Sequence, residues 1–119
     1  MSRFLRRAVA AVRELSTDVV LKAANLCDGH TILDPQAFSE VGVPEVIVKH
    51  LTQTHHSDGT HKGSLSVEGK QVEQVEGVYG LRMLEFLASA LNVEYGRCYG
   101  RGSQARAIQQ ALAAHFNAA

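Results

Sequence analysis

The residues best suited to chemistry lie in NVEYGRCYGRGSQARAIQQAL, residues 92–112, where Tyr-Gly-Arg occurs twice. Arg97, Arg101 and Arg106 carry charge that could neutralise phosphate, and Tyr95 or Tyr99 could stack on a base. Gly100 and Gly102 permit backbone shapes that other residues resist. Ser103 is placed to cap a last helix, whose free amides could hold an anion. The same residues also suit a structural joint between two helices, with half-buried tyrosines and solvated arginines. Two short copies of a tripeptide favour that plainer reading.

The histidines suggest metal chemistry. His50, His55, His56 and His61 fall within twelve residues, near Asp58, and Cys27 and His30 bracket a short CDGH stretch. Imidazole and thiolate at tetrahedral distances bind zinc. This spacing, however, matches no established two-plus-two arrangement, and a polar loop commonly carries unligated histidines. No metal site and no cofactor is expected. Nucleophilic catalysis has no better footing. The chain contains no G-x-S-x-G, no G-x-x-x-x-G-K-[ST], no H-E-x-x-H and no strand-linked G-x-G-x-x-G. Cys98 could pair with a distant histidine only if the fold brought them together. An enzyme is therefore not expected, and a zinc-dependent or thiol enzyme is the third reading.

The bulk numbers narrow the class. At 119 residues the chain is long enough for one domain with its own core. Twelve Lys and Arg balance twelve Asp and Glu, so any polyanion site must come from how charge is distributed. Two cysteines, Cys27 and Cys98, are too few for a disulfide framework. No apolar run approaches the roughly 20 residues of a membrane span. The opening MSRFLRRAVAAVREL is basic, but Arg13 and Glu14 interrupt its apolar part and no signal-type cleavage site follows. A cytoplasmic protein with no membrane partner is expected.

These residues must be positioned by helices. Phe4, Leu5, Ala8, Val9, Val12, Leu15, Val19, Ala23 and Leu26 recur at helical spacing and predict one long helix over 3–26. Arg3, Arg6, Arg13 and Thr17 occupy the other side, either solvated or in contact with an anion. Gly29 is a plausible stop. Asp34 before Pro35 predicts a start, Gly42 a break, and Pro44 a second start. GSLSVEGKQVEQV predicts a short hairpin over 62–76, with Glu68-Gly69-Lys70 at its turn. Residues 79–91 spread apolar side chains around more than half the circumference and predict the core helix. Ala105, Ile108, Leu112 and Phe116 stripe a C-terminal helix over 103–117. The expected class is mainly α (α+β), a helical single domain with one short β-hairpin.

The segment QAFSEVGVPEVIVKHLTQT, within residues 35–54, resembles the helix-turn-helix family. Ala37, Val41, Val43, Val48 and Leu51 are spaced around Gly42 as that packing requires. With the hairpin it implies a winged-helix-like fold. The chain departs from the pattern at Phe38, where a small residue is usual, and at Val46 and Ile47, where polar base readers are usual. The resemblance implies DNA as partner, with Lys49, His50, Gln53 and Thr54 as readers on the second helix. Lys62 and Lys70 would be wing contacts to phosphate, alongside Arg97, Arg101 and Arg106. A homodimer would match paired half-sites. The leading expectation is a small non-enzymatic nucleic-acid-binding protein, a DNA-binding regulator of transcription. The competing one is a protein-interaction adaptor that uses Val46 and Ile47.

Overall fold

A side-chain cap interrupts the helix that the apolar stripe predicts over residues 3–26. Ser16 has extended backbone (φ −71°, ψ 154°) and its hydroxyl accepts from the Val19 amide at 3.2 Å. That geometry satisfies an amide left over at a helix start. The expected single helix is thus two, α1 (Arg3–Arg13) and α2 (Thr17–Leu26). The stripe continues across the break because both helices bury the same kind of side chain: Ala8 and Val12 from α1, Val20, Ala23 and Ala24 from α2.

The computed structural model describes residues 3–28, 33–57 and 79–118; of residues 52–57 and 79 it describes the backbone alone. Asp34 caps α3 (Pro35–Glu40) by accepting from the Gln36 amide at 3.2 Å, and Pro35 fills the first helical position. α3 closes in a Schellman turn. The Gly42 amide donates to Ser39, the Val43 amide donates to Phe38 at 3.0 Å, and Gly42 takes φ +104°. Phe38 and Val43, the apolar pair that accompanies such a turn, are both buried. The Pro44 carbonyl then accepts the first bonds of α4 (Glu45–Ser57), from Ile47 and Val48.

α5 (Tyr79–Leu91) ends by the same device, with Asn92 in the left-handed position at φ 58°. The Val93 amide donates to Ala88 at 2.8 Å and the Asn92 amide to Ser89. α6 (Arg101–Asn117) begins two residues before the expected Ser103, with Gly100 at the cap position and no side-chain cap bond.

α5 is the centre of the packing and lies against α1, α2, α4 and α6. Met83, Leu84, Leu87 and Ala88 are fully buried, as are Val12, Val20, Phe38, Ile47, Ile108 and Leu112 around them. Alanines at 8, 23, 24, 88 and 105 are also inaccessible. Small side chains at helix contacts let axes approach at the near end of the usual range.

The α+β, winged-helix-like class is corrected by this architecture. Every regular element among the described residues is a helix, and the core is built from helix side chains with Cys27 and Val43 from the turns beside them. The mainly helical part of the expectation holds. The expected hairpin at 62–76, with Lys62 and Lys70, lies outside the described residues. The sequence signal for it was short: the alternation covers Leu65 and Val67 and breaks between Val72 and Val75, too little for a sheet to support a core.

Gly42 is the position where the fold demands glycine. Beyond its φ, a Cβ there would meet the Val19 side chain at 3.3 Å. Gly42→Ala is expected to destabilise the protein by about 1–3 kcal/mol. Gly102→Ala, in open space within a helix, should leave stability equal or raised. Chemical denaturation of the two variants checks the contrast, and equal loss in both would refute it.

Candidate nucleic-acid interface

α4 offers less of a reading surface than its sequence suggests. Ile47 has no exposed area and Val46 is half-buried, so the apolar patch expected at these positions is absent. Ile47 instead joins Phe38, Val43 and Leu51 in the core. Lys49 is exposed, with its ammonium 3.5 Å from the Glu45 carboxylate one turn earlier. Such a solvated pair contributes at most about 1 kcal/mol, so the lysine remains available to a phosphate.

His50 belongs to the packing. Its ring lies 5.8 Å from that of Phe4 on α1 and 4.8 Å from that of Phe86 on α5, centroid to centroid. Its pKa is lowered by desolvation, then by the nearby positive charge of Arg82. His50 is thus half-buried among rings of α1 and α5 rather than clear of the packing on α4, as a base reader would stand. Gln53 and Thr54 lie on α4 by their backbone, and their side chains are outside the described residues.

The second segment, residues 92–106, divides into an anchored part and a projecting part. Val93 and Tyr95 pack against the core edge. Beyond them the Gln104 side chain clamps the loop: it accepts from the Cys98 amide and donates to the Gly96 carbonyl, both at 2.9 Å. Tyr99 stands out at 98% exposure, and Arg97, Cys98 and Arg101 are exposed beside it. Arg106 is also exposed, 3.9 Å from the Asp28 carboxylate. The expectation of half-buried tyrosines therefore fits Tyr95 and fails for Tyr99. Gln104 was not foreseen, because a side chain that reaches back six and eight residues leaves no periodic trace.

Charge is sorted along the chain. α1 carries Arg3, Arg6, Arg7 and Arg13 and no acid. Arg13 has a structural partner, since its Nε donates to the Ala90 carbonyl at 3.0 Å at the end of α5. That places a cation where a helix C-terminus favours one. α2 and α3 with their flanks show the opposite sign, with Asp18, Asp28, Asp34 and Glu40 all exposed and Lys22 engaged by Asp18 at 3.1 Å. α4 packs on α1, α3 and α5, whereas α6 packs on α5 and α2. The Lys49 and Arg97–Arg106 segments are thus carried by two helices with α5 as a shared neighbour.

Among the described residues no group of three or more His, Cys, Asp or Glu could hold a metal. His30, Asp58 and His61, and the side chains of His55 and His56, are outside them. Cys27 is fully buried and desolvation pushes its pKa up to about 12. It stays a protonated thiol at neutral pH, and only the thiolate is nucleophilic. No helix among the described residues is long and apolar enough to cross a membrane. No protein-family model matches the chain, and neither a curated protein nor a solved structure matches it.

The site of His50 sets a pH dependence with a definite sign. Its folded pKa lies below the ordinary value of about 6.5, so on acidification the unfolded chain takes up the proton first. The His50 contribution to stability is complete above that pH, declines as pH falls toward the folded pKa, and then levels. Denaturation midpoints at neutral and mildly acidic pH, compared between wild type and His50→Phe, should show a smaller acid loss in the variant. An equal loss would remove His50 as the cause.

Proposed function

We propose that this chain is a small, non-enzymatic nucleic-acid-binding protein, a DNA-binding regulator of helix-turn-helix type. The observation that carries the reading is the joint between α3 and α4. Asp34 starts the first helix, the Gly42 turn ends it, Pro44 starts the second, and Phe38, Val43, Ile47 and Leu51 lock the pair. Lys49 then faces solvent on the second helix. In this reading Lys49 and the exposed Arg97, Arg101 and Arg106 neutralise phosphate, with Gln53 and Thr54 as further contacts. The rival adaptor reading uses Val46, Ile47 and the neutral surface; it is favoured less because Ile47 is buried and Val46 half-buried. A homodimer, a cytoplasmic location and the absence of a cofactor go with the proposal.

Binding to a pool of labelled duplex DNA of mixed sequence tests it, at about 50 mM and about 200 mM salt. The wild type should bind at low salt and lose affinity steeply at the higher one. Lys49→Ala and Arg101→Ala should each weaken binding and flatten the salt dependence by about one unit of log-log slope. No binding at low salt sinks the proposal. Binding that neither substitution weakens would remove α4 and the arginine segment as the surface.

A further inference from the structure

We infer that the loop Gly96–Arg101 is a stacking site for an unpaired nucleobase, with Tyr99 as the platform and Arg97 and Arg101 as contacts to the flanking phosphates. The inference rests on the nucleic-acid reading above and adds, to the contacts of Arg97 and Arg101 with duplex phosphate, a second ligand for this loop: an unpaired base of a single strand.

Four observations converge on it. Tyr99 is the one large hydrophobic side chain fully exposed among the described residues. An aromatic ring displayed in this way offers a face that any base can cover. The loop that carries it is held in shape by the two Gln104 bonds, which tie Gly96 and Cys98 to the first turns of α6. A preorganised platform spends less conformational entropy on binding.

The glycines supply the third observation. Gly96 and Gly102 have neither a left-handed φ nor any atom within 4 Å of where a Cβ would stand. The fold therefore gives no reason for glycine at either position, and in α6 glycine weakens the helix. Gly96 and Gly102, before and after Tyr99 in the chain, present no side chain to a planar group that approaches the loop. The fourth is charge. Residues 92–117 contain Arg97, Arg101 and Arg106 against the single acid Glu94, and Tyr99 sits between two of the arginines.

The choice of single strand follows from geometry. In a duplex both faces of each base are covered by neighbours, so a protruding tyrosine gains nothing from the bases there. An unpaired base exposes a face, and its phosphates lie within reach of cations on either side of the ring.

The test measures affinity of the full chain for a labelled oligothymidylate of about 12 nucleotides and for a hairpin duplex, with Tyr99→Ala, Tyr99→Phe and Gly102→Ala beside the wild type. Tyr99→Ala should weaken the single strand about 5- to 100-fold and shift the duplex less than about 2-fold. Tyr99→Phe should retain single-strand binding because the ring remains. Gly102→Ala should weaken it while the folded state is at least as stable. Single-strand affinity unchanged in Tyr99→Ala, or an equal loss for both nucleic acids, overturns this inference alone. Wild-type protein that binds neither form overturns the nucleic-acid reading and the stacking site with it. Since Tyr99 touches nothing that holds the core, its variants should melt with the wild type, which keeps a binding loss from being a folding loss.

Discussion

The burial of α5 is the constraint to which the other elements answer. Met83, Leu84, Leu87 and Ala88 leave no accessible surface, so helices must close on α5 from several directions. α1, α2, α4 and α6 do so. Two of these carry the segments with functional interest, and neither is placed independently of the other. A shift of α5 would move the Lys49 surface and the base of the Tyr99 loop together, because interiors packed at crystal-like density transmit displacement rather than absorb it.

Where the helices stop matters as much as where they pack. Gly42 and Asn92 end α3 and α5 by the same left-handed turn, each followed by a valine whose amide reaches back to the helix. Glycine is required at the first because the Val19 side chain crowds it. Asparagine, the best tolerated of the other residues in this region of backbone space, occupies the second. One turn launches α4, and the other launches the strand-like segment that leads to Tyr99. Arg13 reinforces the second exit by donating to the Ala90 carbonyl. The cation that the sequence offers as an anion contact is thereby committed to holding a helix end.

Local signals of helix start and core were legible in the sequence. Asp34-Pro35 and Gly42-Val43-Pro44 mark boundaries that side-chain chemistry alone determines, and the apolar spread over 79–91 marks a helix enclosed by others. Ser16 was not legible, because the apolar spacing runs through it undisturbed and a single hydroxyl decides the break. Ile47 and His50 were read as outward because they follow a turn where family members place base readers. Tertiary contacts with Phe4, Phe86 and the core turn both inward. The loop that carries Tyr99 is held by two bonds from the Gln104 side chain to Gly96 and Cys98, which leave no pattern in the sequence. The hairpin was an extrapolation from two alternating apolar residues, and it lies outside the described residues.

The sorting of charge has a consequence that a balanced total conceals. Among the described residues, arginines gather on α1 and carboxylates around α2 and α3, so charge is sorted along this part of the chain even though the formal net charge is zero. A uniform field would exert little net force on such a body but would turn it. Near a surface of fixed negative charge the field is not uniform, and a body with such sorted charge would be both rotated and drawn in, its arginine-bearing helix first. Orientation would then precede contact, and it would fade as added salt shortens the range over which that charge is felt.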